Sequence, residues 1–397
     1  MKSEKALLYT LAVIQFSHIT DFMIIMPLGP QLMQAFSISP AQFALLVSTY
    51  TFSAGASGFL GAFFIDRFDR KKALLTMAGG FALGTLSCSI ANTYEWLLFA
   101  RSFTGLFGGL LGALILAIIG DAIPNERRAS AMGVVMASFS VASVVGVPLG
   151  LFLASLSDWH FPFLVLGILG LITLIPIWRF LPYMSGHIDD CIANPSPIEI
   201  VRNVTRNGNQ VKALLFGIVI MFSHFSIVPF ISPYMVGNVG FSEEQITYIY
   251  LIGGALTIFS SPIIGRMADR YGRSKVFAIT VLCASVPVFI ITNLGESPIY
   301  IALIATSLFF IFGAGRMIPS TAMVTSSVKP QNRGSFMSFN SACRQMTNGL
   351  AAYLAGLVIT TGENGELMHY EYVGYFAIAM GFVSILIGRK LKVVDEK

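Results

Sequence analysis

The sequence predicts an all-α integral membrane protein in which twelve transmembrane helices form two pseudo-symmetric bundles of six. Three observations support this fold class: an apolar composition, an alternating placement of basic residues, and a repeat of about half the chain. Of the 397 residues, 55% are hydrophobic and 11% are charged, whereas about 25% are charged in a soluble domain. The mean hydropathy of +0.75 excludes a soluble core with a polar coat.

Twelve segments are long and apolar enough to span a membrane, since a spanning helix needs about 20 mostly apolar residues. The predicted spans are 7–35, 41–65, 73–91, 95–119, 129–155, 161–180, 211–237, 244–266, 275–293, 297–323, 333–360 and 370–390. We expect the first to be a retained span rather than a signal peptide, because it is too long and no small-residue cleavage site follows it. The polar central connector is predicted to carry a surface helix at 196–206.

Basic residues alternate between the connectors of these spans. The two termini and every second connector, together with the adjoining span ends, hold 22 of the 25 Lys and Arg residues, and the opposite connectors hold none. Because basic loops face the cytoplasm, we expect a multi-pass protein of the bacterial inner membrane with both termini cytoplasmic. The other three basic residues, Arg101, Arg316 and Arg344, lie inside predicted spans.

The two halves of the chain share landmarks at a nearly constant spacing. The tripeptide FSH at 16–18 recurs 206 residues later at 222–224, and Pro124 recurs as Pro330 at the same spacing. A six-span unit used twice explains this spacing. The predicted domains are an N-terminal six-helix bundle at 1–180, a cytoplasmic linker at 181–210 and a C-terminal six-helix bundle at 211–397.

The loops after spans 2 and 8 read GAFFIDRFDRKK (61–72) and GRMADRYGRSK (265–275). Through these loops the chain resembles the major facilitator superfamily over essentially its whole length, since the family pattern there is G-x-x-x-D-R-x-G-R-[RK]. The second copy fits this pattern with Gly265, Asp269, Arg270, Gly272 and Arg273. The first copy departs from it, because Ala62 replaces the leading Gly and Asp69 replaces the inner Gly. The resemblance implies the major facilitator fold.

Two further motifs strengthen the resemblance. Arg101 and Gly105 match the R-x-x-x-G motif of span 4, and Gly146, Pro148 and Gly150 form a variant of the antiporter motif of span 5. The chain is therefore similar to the twelve-span drug:proton antiporters, particularly the arabinose- and sugar-efflux-like branch. This similarity implies alternating access with exchange of protons for a small solute. The span 5 glycines also have a purely structural interpretation, since small residues let helices pack closely in lipid.

Two charged clusters at cytoplasmic helix ends are predicted to form a gate. They consist of Asp66, Arg67 and Arg70 after span 2, and of Asp269, Arg270 and Arg273 after span 8. The acid can accept hydrogen bonds from an Arg and from a helix N-terminus of the neighbouring bundle, where partial positive charge collects. Such contacts would stabilise an outward-facing state. The alternative is that these residues only hold the loops in the cytoplasm.

Asp21 is the strongest candidate for proton coupling, because an acid inside a span is costly and by default functional. Along the helices, Asp21 lies about 22 Å from the cytoplasmic start of span 1 and Arg101 about 9 Å below the outer end of span 4. In a core of about 30 Å these depths coincide. Protonation of Asp21 would then depend on the distance to Arg101 and on desolvation. A permanent structural ion pair is the alternative.

Polar residues inside the spans are expected to line the substrate path, since polar groups facing lipid are costly. The candidates are Ser17, His18, His224, Arg316, Asn340, Arg344 and Asn348. The two histidines have a structural alternative as neutral, hydrogen-bonded residues, and Arg316 has one as a snorkelling residue near the interface. Three interior arginines against one acid, Asp21, favour an anionic or hydroxyl-rich substrate over a lipophilic cation.

Several function classes are not supported. The sequence contains no phosphate-binding GxxxxGK[ST] motif, no metal-ligand spacing and no soluble domain, so we expect no enzyme, no catalytic residue, no metal and no cofactor. The expected partners are a small-molecule substrate, protons and the lipid bilayer, with no nucleic acid, and we expect a monomer. The predicted function is a proton-coupled exporter of a small polar or amphipathic solute or drug. The alternative is an importer, by symport, or a uniporter, because the same fold works in either direction.

Overall fold

The computed structural model describes residues 2–61, 65–185 and 197–394 and confirms the predicted all-α membrane fold. The helices are α1 (Lys2–Ile24), α2 (Gly29–Phe36), α3 (Pro40–Gly61), α4 (Arg70–Cys88), α5 (Tyr94–Ala122), α6 (Asn125–Val141), α7 (Val147–Leu156), α8 (His160–Phe180), α9 (Pro197–Arg206), α10 (Gly208–Phe225), α11 (Ile231–Tyr234), α12 (Ile246–Tyr271), α13 (Arg273–Asn293), α14 (Ile299–Ser326), α15 (Pro330–Val358) and α16 (Tyr370–Gly388). Helix α9 is the predicted surface helix of the linker.

Among the described residues, ten helical segments are long and apolar enough to cross a membrane. They coincide with ten of the twelve predicted spans. The other two predicted spans, 73–91 and 333–360, also coincide with long helices, α4 and α15. Helix α4 begins with three consecutive basic residues, and α15 carries the polar face noted above. These polar groups lower the mean hydropathy of α4 and α15, which is why these two helices are less apolar than the other ten.

The first and seventh predicted spans are both interrupted by irregular turns. Helix α1 ends at Ile24 and α10 ends at Phe225. Pro27 follows the first end, and Pro229 follows the second. A proline has no N–H to donate to the preceding turn, and its ring collides with the carbonyl four residues earlier. Each span therefore begins as a regular helix and continues through short, irregular turns.

The chain divides into two compact units. The first contains residues 1–25 and 49–197, and the second contains residues 26–48 and 198–397. Helix α2 belongs to the second unit, where Gly29 allows close packing: a Cβ at Gly29 would lie 2.8 Å from Pro233 Cγ and 2.9 Å from Phe43 Cζ. The domain boundaries proposed from the sequence repeat, with a bundle at 1–180, stay a prediction.

In the first unit, α4 packs between α5 and α8, and α1 packs on α6 and α8. The core is aliphatic and includes Leu11, Leu111 and Ile115, which have no exposed surface. Side-chain caps start two of these helices. Asp69 accepts hydrogen bonds from the main-chain N–H groups of the first turn of α4, and Thr93 caps α5 by accepting one from Trp96 N at 3.2 Å. The caps satisfy N–H groups that have no partner within the helix.

In the second unit, α10 packs on α14, α15 and α16, and α13 packs on α14 and α16. Its core contains buried aromatic residues, with Phe216 and Phe277 in an edge-to-face contact at 4.9 Å between ring centroids. Two short strands, β1 (Thr360–Thr361) and β2 (Leu367–Met368), pair antiparallel between α15 and α16. This packing fixes α10, α14 and α15, which carry most polar candidates of the second half.

Candidate functional site: a buried polar cluster in each unit

A buried ion pair joins α1 to α5 in the first unit. Arg101 Nη1 donates to Asp21 Oδ2 at 2.8 Å and to the Asp21 main-chain oxygen at 3.3 Å. Both side chains have 0% exposure. The contact agrees with the coinciding depths expected for these two residues. The pair gives the buried acid a counter-charge.

Two residues that the sequence did not single out complete the surroundings of this pair. Thr85 on α4 donates from Oγ1 to Asp21 Oδ1 at 3.1 Å. Tyr50 on α3 places its ring 4.4 Å from the Arg101 guanidinium carbon, a distance typical of a cation–π contact. Four helices thus hold one acid and one cation, with each carboxylate oxygen bonded.

Several buried polar atoms around the pair have no hydrogen-bond partner among the described residues. They are Gln15 Oε1, Ser17 Oγ, His18 Nδ1, Thr20 Oγ1, Tyr50 Oη, and Arg101 Nε and Nη2. Buried polar groups in proteins are almost always paired with protein or water. This concentration of unpaired atoms is therefore available to water or to a polar ligand.

His18 and Tyr50 approach α5 at Gly108. A Cβ at Gly108 would lie 2.8 Å from Tyr50 Oη and 3.2 Å from His18 Nε2. The His18 ring also meets Phe81 edge-on, with 5.6 Å between ring centroids. Ser17, the preceding residue on α1, is 3% exposed. Gly108 thus provides the space that brings these polar side chains beside the ion pair.

The span 5 motif packs directly on the helix that carries Asp21. Residues Ala142–Gly146 form a π-helical turn between α6 and α7. A Cβ at Gly146 would overlap the Thr20 side chain, and one at Gly150 would lie 2.6 Å from Ile24 Cδ1. Pro148 is buried between these glycines in the first turn of α7. These contacts are what close helix packing needs, and they place the motif beside Asp21.

Arg316 of α14 forms the centre of the polar cluster in the second unit. Its Nη1 donates to Ser223 Oγ at 3.0 Å, and its Nη2 lies 3.0 Å from His224 Nδ1. A guanidinium can only donate, so Nδ1 accepts and the proton of a neutral His224 ring is on Nε2. The ring stacks on Phe309, with 5.5 Å between centroids and an interplanar angle of 15°. Arg316 is 2% exposed and is therefore placed deep in the protein.

The predicted residues of α15 lie beside α10 and α14. A Cβ at Gly217 of α10 would lie 3.2 Å from Asn340 Oδ1 and 3.8 Å from Arg344 Cγ. Arg344 Nη2 lies 3.9 Å from the sulfur of Met317, the residue that follows Arg316. Asn348 donates from Nδ2 to Gln345 Oε1 at 3.4 Å, and its Oδ1 is buried. The structure brings Asn340 and Arg344 to the same helix face as His224.

The first predicted gate cluster is only partly within the described side chains. The Asp66 side chain lies outside them, and Arg67 is exposed in a 3₁₀ turn. Arg70 is 6% exposed and donates from Nε to Asp121 Oδ2 at 3.0 Å. Asp69, which replaces the glycine of the family pattern, caps α4 and accepts from Met184 N at 2.5 Å. An acid at the end of α5 thus partners the gate arginine within its own unit.

In the second cluster, Asp269 and Arg270 are exposed at the end of α12. Arg270 lies over the Tyr271 ring at 5.4 Å, and Arg273 Nη1 donates to Ser326 Oγ at 3.3 Å. Gly272 joins α12 to α13 with a φ of 97°. This positive φ explains why a glycine occupies the inner position of this copy.

Sequence reasoning missed Thr85, Tyr50 and Asp121, for different reasons. Thr85 and Tyr50 lie in apolar helices, and their direction depends on packing that one sequence does not show. Asp121 could have been found from the sequence, because it is an acid at the cytoplasmic end of predicted span 4, next to the 4–5 connector. An acid there, opposite the basic residues of the 2–3 connector, suggests an ion pair.

Comparisons with known proteins agree with this architecture. A family model described as Major Facilitator Superfamily matches residues 11–190 and 213–397. An uncharacterised MFS-type transporter of Bacillus subtilis, YceJ, is 25% identical and is aligned over 92% of this chain and 90% of its own length. A probable sugar efflux transporter of Helicobacter pylori strain P12 is 20% identical over 89% of this chain and 86% of its own length.

The fold is also that of solved transporter structures. A crystal structure of a D-xylose–proton symporter superposes with a TM-score of 0.80, at 15% identity, over 97% of each chain. At this identity the likeness concerns the fold alone.

Proposed function

Since the chain belongs to the major facilitator superfamily, whose members are transporters and not enzymes, we propose that it is a proton-coupled secondary exporter of a small polar or amphipathic solute. It acts as a monomer by alternating access around a site near the middle of the membrane. Both termini lie in the cytoplasm, as the basic connectors indicate. The chain itself is a multi-pass membrane protein.

The observation that carries this proposal is the Asp21–Arg101 pair. Among the described residues, Asp21 is the only carboxylate whose residue is fully buried. A proton on Asp21 removes the negative charge that balances Arg101, so Arg101 then needs another partner or a different environment. Proton binding and the arrangement around Arg101 are thereby linked, and a linkage of this kind is reciprocal. In the proposed cycle, Asp21 is protonated from outside and deprotonated inside.

The packing of the span 5 motif gives the pair a route to conformational change. Gly146 and Gly150 contact Thr20 and Ile24, on either side of Asp21 in sequence. A shift of α1 against α7 would move Asp21 relative to Arg101. The smooth surface that the two glycines provide suits such sliding, because no side chain has to be displaced.

The charged clusters at the cytoplasmic helix ends are proposed to act as the gate of this cycle. The first cluster comprises Asp66, Arg67 and Arg70, and the second comprises Asp269, Arg270 and Arg273. Arg70 and Arg273 contact Asp121 and Ser326, at or near the ends of α5 and α14. Each contact lies within one unit, so it holds its arginine at the helix end from which the arginine would act on the gate. These residues would control conformation without touching substrate.

Export is favoured by the similarity to the Helicobacter pylori protein, a probable sugar efflux transporter. Import by proton symport is the second candidate, because a D-xylose–proton symporter shares this fold. The fold alone does not fix direction. Ser17, His18, His224, Asn348 and their polar neighbours are proposed to contact the solute in either case.

The test measures substrate-driven proton movement by the Asp21→Asn variant, reconstituted in proteoliposomes that contain a pH indicator. Substrate is first found by thermal-shift screening of sugars, organic acids and drugs, since ligand binding to the folded state raises its apparent stability. We expect Asp21→Asn to bind substrate but to lose substrate-driven proton movement. Asp158→Asn is the matched control, because Asp158 is an exposed residue whose side chain pairs with His160. Proton movement at the wild-type rate in Asp21→Asn would falsify the coupling assignment.

A further inference from the structure

We propose that the second unit contains an anion subsite formed by Arg316 and Arg344 with Asn340, and that it binds the carboxylate or phosphate group of a small organic anion. This inference rests on the proposed transport function and specifies its substrate class. The subsite lies on the face of α10 that also carries His224.

The second unit does not neutralise its interior cations. Arg316 is 2% exposed and contacts two neutral groups, Ser223 and His224. Arg344 contacts the sulfur of Met317. Among the residues that the structure describes, no carboxylate pairs with either arginine. A buried cation without an acidic partner is costly, and an anionic ligand would supply the missing charge.

Unused hydrogen-bond capacity remains at this place. Arg316 Nε is buried and has no partner, and Asn340 Oδ1 is likewise unpaired although the residue is 2% exposed. Rotation of the Asn340 amide by half a turn exchanges its oxygen for its NH₂ group, and the two orientations differ little in shape. The site then presents donors from both residues. Donors with no internal acceptor suit a carboxylate or a phosphate, whose oxygens can only accept when ionised.

Helix α10 brings these groups to one face. Gly217 faces Asn340 and the Arg344 stem, and His224 accepts from Arg316. Residues seven apart lie two turns apart on the same side of a helix, about 10 Å along its axis. Arg344 also reaches toward α14 through Met317, next to Arg316 in sequence. The two cations thus lie near one another, on either side of one helix face.

This arrangement disfavours the other ligand classes. A lipophilic cation would meet two positive charges and would gain no counter-charge. A neutral sugar could use the donors but would leave both guanidinium groups without a counter-charge. An anion gains charge-assisted hydrogen bonds, and a planar guanidinium can bind a carboxylate or phosphate with two parallel bonds. The first unit differs, because Arg101 already has its acid in Asp21.

The experiment compares neutral, anionic and cationic solutes. The full chain, purified in detergent, is titrated by calorimetry and by thermal unfolding with glucose, gluconate, glucose 6-phosphate, inorganic phosphate and tetraphenylphosphonium. We expect at least one of the three anions to bind and to raise the unfolding temperature. Its affinity should exceed those of glucose and tetraphenylphosphonium by about tenfold or more, as expected for hydrogen bonds to a charged group. Equal binding of glucose, or binding of none of the anions, would overturn the proposal.

Variants then locate the binding. Arg316→Gln and Arg344→Gln should each weaken the anion by about tenfold or more, whereas Arg316→Lys, which keeps the charge but loses the planar fork, should weaken it less. Arg202→Gln, on the exposed surface of α9, is the matched control and should bind as the wild type does. Should Arg316→Gln fail to fold, Arg344→Gln and Arg316→Lys still decide the matter. An unchanged affinity in all the folded variants would show that the anion binds elsewhere and would refute the subsite.

The binding measurement is independent of coupling. It needs no proton gradient, so the anion subsite can be confirmed even if Asp21→Asn shows that proton exchange does not occur. Conversely, proton-coupled movement of a neutral solute, with no anion bound in detergent, would refute the subsite and leave the proposed export intact. The two assays therefore separate failure of this inference from failure of the proposed function.

Discussion

The two FSH segments of this chain occupy equivalent helices but different chemical surroundings. His18 lies against Gly108, and His224 lies against Gly313, where a Cβ would be 3.2 Å from His224 Cε1. The histidines are 206 residues apart and the glycines 205. The backbone approach of a histidine to a glycine on the facing helix is thus repeated. Duplication preserved the packing of the helices at this level.

The charges near the two histidines were not preserved. Asp21 follows His18 on α1, whereas Ile227 has the equivalent place and is fully buried. Arg101 binds Asp21, whereas Arg316 binds Ser223 and His224. The first unit therefore contains an ion pair with no net charge, which protonation of Asp21 would make positive. The second unit contains Arg316, whose positive charge has no acidic partner among the described residues. Divergence of a few polar residues on a shared framework thus gives the two halves a different distribution of buried charge.

Breaking the ion pair is the prediction with the largest expected effect. Arg101→Gln leaves the Asp21 carboxylate buried without its cation, and we expect a loss of about 3–5 kcal/mol in the free energy of unfolding. Arg316→Gln has no carboxylate to leave behind, so its loss should be about 1 kcal/mol, the value of the hydrogen bonds it gives up. Denaturant unfolding of the purified protein in detergent measures both.

A double-mutant cycle sharpens this difference between the units. Asp21→Asn combined with Arg101→Gln removes both charges, and we expect the double variant to be more stable than the sum of the single losses predicts. Additive losses would mean that the two side chains do not stabilise each other. A loss at Arg316 as large as that at Arg101 would remove the distinction between a paired and an unpaired cation.

The second prediction concerns the close helix contact at Gly105 in the first unit. A Cβ at Gly105 would overlap the main-chain oxygen of Tyr50, the residue whose ring covers Arg101. At the 205-residue spacing of Gly108 and Gly313, the equivalent position of the second half is Phe310. We expect Gly105→Ala to reduce the free energy of unfolding by about 1–3 kcal/mol, because backbone must shift. Unfolding and transport should both be measured, since Tyr50 would move with its carbonyl.

Gly120→Ala, on the same helix, is the matched control for this prediction. Nothing lies within 4 Å of a Cβ at Gly120, and alanine favours a helix over glycine by about 1 kcal/mol. We therefore expect Gly120→Ala to be neutral or stabilising. Equal losses at both positions would show that the cost at Gly105 comes from the helix itself and not from contact with Tyr50.

How much of this could be predicted from the sequence depends on the type of interaction. Apolar length and basic connectors predict the spanning helices, because membrane thickness and loop charge act on each segment alone. The pairing of Asp21 with Arg101 followed from depth along two helices. The Thr85 bond to Asp21 and the Tyr50 ring over Arg101 did not, since rotation of α3 and α4 about their axes sets them. Residue spacing along one chain does not show which way each face of a helix points, so it does not predict contacts that depend on this orientation.

The smallest effect is expected where the two copies of the loop motif differ. Gly272 joins α12 to α13 with a φ of 97°, a conformation that side chains disfavour by about 1–2 kcal/mol. Asp69, at the equivalent place, has a φ of −55° and caps α4 with its side chain. We expect Gly272→Ala to cost about 1–2 kcal/mol in free energy of unfolding, and Asp69→Gly only a few tenths for the cap itself. Thermal unfolding of both variants measures this asymmetry.

If Gly272→Ala were harmless, the backbone there would be free to adopt the Asp69 conformation. The departure of the first copy from the family pattern would then need no structural reason. A clear loss at Gly272 alone would mean that the two copies start their following helices by different means, one through backbone conformation and one through a side-chain cap.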